Sequence, residues 1–287
     1  MKFRLSKSSA RSFFFSAAVV AGAALYLQFE KSTVTRSGGH SANEPTITAK
    51  AAPANPILWS AGMEAGNLNE WYLGNGGGEF NNRGGDSVAS QDIAHTGNWS
   101  AKMTINASDA GTRLFRWAEP QTHRELYYSA WYYFPQKYTY SGWSNYFQWK
   151  SKHAAGVDPF YYLVAATRSN GNMHFVVHWW DGLTIEGPHQ GEYGFRVYQQ
   201  NLKDIPVGQW FQIEARYVCA GDFTGRLTVW QDGVQLFDLT GIRTRYPDGD
   251  CQWAVNNYGS GISPNPVITY IDDAVIRTSR AGSTRND

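Results

Sequence analysis

Between residues 57 and 277, short alternating runs recur with turn residues between them, and no segment holds a clean helical period. The sequence predicts strands at 100–105, 112–117, 126–134, 143–150, 160–167, 173–180, 210–218, 225–231, 234–239 and 267–277. Asp232-Gly233 lies between two alternating runs, and Asp-Gly suits the type I′ turn that joins hairpin strands. Asn170-Gly171 is read the same way. Many strands with essentially no helix imply a β-sandwich of two sheets, and the absence of an internal repeat argues against a propeller. The composition agrees: aromatic residues make up 15% of the chain and glycines number 29, which favours strands joined by turns.

The first residues read differently. Lys2, Arg4, Lys7 and Arg11 precede an apolar stretch from Phe13 to Leu27. A basic segment followed by an apolar one fits a secretory signal, and the stretch is shorter than the roughly 20 residues that span a membrane. Ala21-Gly22-Ala23 offers a small-x-small cleavage site, while Leu25, Tyr26 and Leu27 continue past it. A cleaved signal and a retained signal-anchor over 1–27 therefore both stay open. Residues 28–55 read as a disordered linker, 56–279 as the folded domain and 280–287 as a disordered tail. A secreted or periplasmic monomer is expected, with the N-terminal segment its one route to a membrane.

Residues 51–287 carry 18 basic against 22 acidic residues, a net of −4. A nucleic-acid binder would show a basic domain, so that class is disfavoured, and an acidic glycan would need a local basic patch. The cysteines are Cys219 and Cys251. In an exported chain a disulfide between them would stabilise the fold by about 3–4 kcal/mol; two unpaired thiols are the alternative. No Cys/His cluster has zinc spacing.

The run Asn145-Tyr-Phe-Gln-Trp-Lys-Ser-Lys-His153 concentrates the chemistry. A strand alternates its side chains, so Gln148, Lys150 and Lys152 share one face, with Phe147 and Trp149 on the other. An amide and two ammonium groups beside aromatic rings, with His153 following, can hold an acidic sugar. In 173–180 the same alternation puts His174, Val176, His178 and Trp180 together, opposite Phe175, Val177 and Trp179. Arg113 and Arg116 fall on opposite faces, so at most one of them faces a groove. Arg124 could bind substrate or pair with Glu125 or Glu214. Trp143, Trp149, Trp179 and Trp180 offer flat faces for sugar stacking or for core packing.

Three segments carry a resemblance. They are Arg124-Glu-Leu-Tyr-Tyr-Ser-Ala-Trp-Tyr-Tyr-Phe-Pro135, Phe147-Gln-Trp-Lys150, and Val207–Arg216 followed by Gly225–Gly233 and Tyr270–Ile276. Together they resemble the heparin-lyase-I-like polysaccharide lyases, over about residues 57–277. The resemblance implies a concanavalin A-like jelly-roll β-sandwich of two antiparallel sheets with a concave glycan groove. It also implies cleavage of a uronate-containing glycan by β-elimination. Where that family tends to carry histidine, this sequence has Lys150.

By the resemblance Gln148 neutralises the uronate carboxylate and Tyr258 sits where the family's late catalytic tyrosine is expected. Lys150 binds the carboxylate or acts as base, and either His174 or His178 is a candidate base. Glu64 with Asp272 or Asp273 resembles the chain-end oxygen cluster of related jelly rolls, so a structural Ca2+ is expected there. The competing classes are a non-catalytic lectin-like module and a glycoside hydrolase. The hydrolase is disfavoured because no strand carries the closely spaced carboxylate pair that retaining enzymes need.

Overall fold

The computed structural model describes residues 56–107, 109–153, 156–181 and 194–281. The signal or anchor and the linker lie outside the described residues. Of the expected tail, Arg280 is described, and it pairs with Glu214 at 2.8 Å.

The strands in the first half are β1 (Ile57–Ala61), β2 (Gly77–Asn82), β3 (Gly85–Ser90), β4 (Ser100–Ile105), β5 (Asp109–Arg116), β6 (Glu125–Tyr133), β7 (Thr139–Tyr140) and β8 (Ser144–His153). They continue as β9 (Gly156–Thr167), β10 (Met173–Asp181), β11 (Gly194–Tyr198), β12 (Trp210–Val218), β13 (Gly225–Gln231), β14 (Val234–Ile242), β15 (Asp250–Ser260), β16 (Ile262–Ser263) and β17 (Val267–Arg277). Among the described residues, helix is confined to a 3-10 stretch at Asn69–Asn75 and one turn, α1, at Ala118–Thr122.

Two antiparallel sheets form the jelly-roll sandwich. One runs β14-β13-β12-β6-β17-β4-β3 with β1 on β17; the other runs β11-β10-β9-β8-β15-β5-β2. The expected Asp232-Gly233 hairpin is present, with both residues at positive φ (46° and 78°) between the paired Gln231 and Val234. Asn170-Gly171 also joins paired strands, through a longer turn. Arg168 and Asn172 still bond, Gly171 alone takes positive φ, and the loop has the three-residue form that ends in a left-handed glycine.

Inward-facing residues of the two sheets make a core rich in aromatic rings. Trp149 of β8 stacks on Tyr217 of β12 at 4.6 Å and 4°, and Tyr132 of β6 meets Phe147 of β8 at 6.4 Å. Such ring pairs each contribute about 0.5–1.5 kcal/mol beyond the area they bury. Cys219, just past β12, bonds to Cys251 in β15, so the disulfide ties one sheet to the other at this end.

Candidate active site

The outer face of the seven-stranded sheet is organised by register, because residues directly opposite each other in neighbouring strands share a face. One row runs Val197, His178, Tyr162, Gln148, Ala254, Phe115 and Gly78. Seven strands at the ordinary spacing make it roughly 29 Å long. Gln148 (2% exposed), Ala254, Val164, Val176 and Asn256 are buried although they lie outside the core cluster, so the floor of this face is recessed.

The alternation expected in β8 and β10 holds. Phe147, Trp149, Phe175, Val177 and Trp179 pack into the core, which gives Trp149 and Trp179 packing roles and removes them as sugar platforms. Gln148 faces outward, and its buried Oε1 has no hydrogen-bond partner. Lys150 stands opposite Gln252, and Lys152 opposite Asp250, both of them exposed at that strand end. His153 and Trp180 pair through their backbones with Gly156 and Phe195, and their side chains lie outside the described residues.

Beside this row, β15 contains one extra residue. Val255 pairs with Phe147 but Tyr258 pairs with Asn145, a β-bulge, and bulges re-aim side chains. Asn257 turns inward and donates to the carbonyls of Met103 and Val267. Asn256 and Tyr258 turn outward. The Tyr258 ring lies over Gly111, where a Cβ would fall 1.7 Å from the ring, so only glycine leaves room for it. Trp143, 40% exposed, meets the ring edge-on at 4.9 Å, and Asn82 Nδ2 donates to the phenol oxygen at 3.3 Å.

Arg113 lies next to this phenol. It is 8% exposed, its Nε donates to Asn256 Oδ1 at 2.9 Å, and its guanidinium sits 5.4 Å from the Phe80 ring and 5.7 Å from the Tyr258 ring. Burial lowers its pKa to about 10, so it remains a cation at neutral pH. No carboxylate pairs with it among the described residues. A buried cation without a counter-ion is costly, and an anionic ligand would remove that cost.

The other two arginines are elsewhere. Arg116 projects to the opposite face, as alternation requires. It donates to Glu119 at 2.6 Å and to the carbonyls of Trp71 and Leu73, over the Trp59 ring. These bonds satisfy it as a structural residue, not a substrate ligand. Arg124 precedes β6 in the other sheet, is exposed, and bonds Thr224. It lines a separate cleft of about 770 Å³ beside the disulfide.

The two histidines share the outer face but differ. His174 is buried, with Nδ1 at 3.1 Å from the Ala166 carbonyl and Nε2 at 3.4 Å from Gln199 Oε1. Both nitrogens are taken up, which fits a structural histidine. His178 is half-buried against Tyr162 and Phe195, and desolvation lowers its pKa to about 4. It is therefore neutral at physiological pH and able to accept a proton. Burial raises Tyr162 to about 12.

The three acids expected to hold calcium gather instead on the loop before β4. Glu64 accepts from the amides of Asn98 and Trp99. Asp272 accepts from His95 and Thr96 N–H groups, and Asp273 from Thr96 Oγ1, with His95 Nδ1 at 2.7 Å. Donors aimed at these oxygens do the work a cation would do, and no three His, Cys, Asp or Glu side chains group as a metal site among the described residues. So arranged, the three acids do not fit a calcium cage.

Asn145, Asn256, Asn82, Phe80, Gly111 and Tyr162 complete the site, and the sequence reading did not single them out. Asn256 stands two residues before Tyr258, so alternation finds it; Asn145 stands three residues before Gln148, where alternation predicts the opposite face, and the register shift against β15 is what turns it outward.

Structures of similar fold include the endo-beta-1,4-glucuronan lyase from the fungus Trichoderma reesei, at 14% identity and TM-score 0.58, covering 78% of this chain and 96% of that one. Alginate lyase vAL-1 from Chlorella virus follows at 11% identity and TM-score 0.56, over 77% and 99%. The marine PL-14 alginate lyase from Aplysia kurodai has 13% identity and TM-score 0.53, over 78% and 99%. No curated protein sequence matches the chain. Residues 63–274, from Met63 just past β1 to Ala274 of β17, match the family described as polysaccharide lyase; the chain belongs to that family.

Proposed function

We propose that this polysaccharide lyase cleaves a uronate-containing glycan by β-elimination at the Arg113–Tyr258 site. The observation that carries this reading is the buried Arg113 cation, without a carboxylate partner among the described residues, lying against an accessible phenol. A uronate carboxylate placed on Arg113 has its charge neutralised, which acidifies the proton at C5. A base removes that proton, the electron pair forms the C4–C5 double bond, the C4–O bond breaks, and an acid protonates the leaving oxygen. Tyr258 is within reach of both tasks. Asn82 Nδ2 donates to its oxygen and the Arg113 guanidinium lies against its ring; as phenolate it takes the proton, and the phenol so formed returns it to the leaving oxygen. His178 of β10, neutral and opposite Tyr162, serves the same row of sugar sites two strands from Gln148.

The likeness to lyases named for glucuronan and alginate, both polyuronates, supports the substrate class. The Arg-Glu strand at 124–125 and Gln148-Trp149-Lys150 support the narrower heparin-lyase-I-like placement. The intersheet disulfide supports export to an oxidising compartment.

The test is the ultraviolet absorbance of unsaturated uronide after mixing the protein with a panel of polyuronates. A rise on one member is expected, and Tyr258→Phe should abolish it while the glycan still binds. Binding without any rise across the panel would favour the lectin-like reading instead.

A further inference from the structure

The side-chain amides beside Arg113 can be oriented without ambiguity. A guanidinium only donates, so the atom of Asn256 that meets Arg113 Nε at 2.9 Å is its oxygen. Asn256 then has only its NH2 left, and this reaches Asn145 at 2.7 Å, so the atom it meets there is the Asn145 oxygen. The end of the relay is Asn145 Nδ2, a donor with no side-chain hydrogen bond to the protein among the described residues. Asn145 and Asn256 are 4% and 0% exposed, on the outer face that also carries Tyr258.

The adjacent Asn257 differs in its donor: it points inward, and its Nδ2 is saturated by two core carbonyls, while its buried Oδ1 is the atom without a partner. At Asn145 the donor is left over, beside a cation that itself lacks an anion. The Asn145 donor is not sealed in the core, so a ligand in the groove can reach it, and an oxyanion accepts from guanidinium and amide together.

We propose that Asn145 donates through Nδ2 to the substrate carboxylate beside Arg113, and that Asn256 is the positioning residue that holds both donors in place. The inference rests on the uronate-lyase reading above. As the proton leaves C5, charge accumulates on the carboxylate oxygens, so a donor fixed there acts on the transition state more than on binding.

Asn145→Ala separates this role from a structural one. Alanine removes the donor without adding charge, whereas aspartate would set a carboxylate beside Arg113 and repel the substrate. The polyuronate that the wild type cleaves serves as probe, with thermal melting as the check on folding. Asn145→Ala should stay folded, yet lose about 100-fold in kcat with a smaller change in KM. Asn256→Ala gives up the amide that holds Asn145, and should lose kcat in the same way. The double variant should lose no more than the worse single, whereas independent lesions would multiply to within about twofold. Should Asn145→Ala fail to fold, Asn145→Ser is read in its place. Wild-type kcat in a folded Asn145 variant, or losses that multiply, would overturn the inference and leave the lyase reading intact. No turnover of any member of the polyuronate panel by the wild type would overturn both.

Discussion

Arg113 and Arg116 sit three residues apart on one strand, and both are buried, at 8% and 3% exposure. Arg116 ends in a carboxylate and two backbone carbonyls, so its charge is compensated inside the protein. Arg113 ends in one amide oxygen and two aromatic faces. The alternation of a strand sends one arginine to stabilise the fold and leaves the other waiting for an anion. Burial alone therefore does not distinguish a structural cation from a functional one; the partner set does.

The sharpest way to break this comparison is to replace each arginine with methionine. Arg113→Met should cost about 10³-fold in kcat/KM on the cleaved polyuronate and leave the melting temperature unchanged or higher, because an uncompensated buried charge is removed. Arg116→Met should do the reverse. It strands Glu119 and two carbonyls, destabilises by about 3–5 kcal/mol, and leaves turnover per folded molecule unchanged. Equal stability losses in the two variants, by denaturant titration, would erase the distinction.

A smaller effect is expected at Gly111, which makes room for the Tyr258 ring. Gly111→Ala forces the ring aside, and a displacement near 1 Å can cost about 100-fold in kcat. In a Tyr258→Phe background the same substitution should cost nothing further in turnover. An additional loss there would mean that Gly111 acts through something other than the phenol.

The smallest effect concerns His178, whose folded pKa of about 4 lies below its unfolded value of about 6.5. The folded state binds fewer protons between these values, so this contribution is fully present above pH 6.5 and is lost as the pH falls towards 4. Melting curves of His178→Asn should show a weaker acid dependence over that window than the wild type. Identical slopes would place the desolvation elsewhere.

Much of the scaffold was legible because strands declare themselves by alternation. Gln148 facing out and Phe147 facing in, the single outward arginine of β5, and the Asp232-Gly233 turn all follow from local rules. The centre of the site was less legible. Val255-Asn-Asn-Tyr-Gly-Ser260 carries turn-forming residues, yet it forms the end of β15, because it pairs in unbroken register with β5 and tertiary partners take up the amide NH2 groups of both asparagines, one on each face. Trp149 and Trp179 show the converse: nothing in an isolated tryptophan separates a sugar platform from a core residue until the facing sheet is in place. The acids Glu64, Asp272 and Asp273 met loop amides and hydroxyls that lie some thirty to two hundred residues away in sequence, beyond the reach of local pattern.

The most direct test of the account is calorimetric binding of a uronate oligosaccharide to Tyr258→Phe, beside the same oligosaccharide with its carboxylates reduced to alcohols. The account expects clear preference for the acid, lost when Arg113→Met is added. Equal affinity for the two sugars, or a preference for the acid that survives without Arg113, would contradict it.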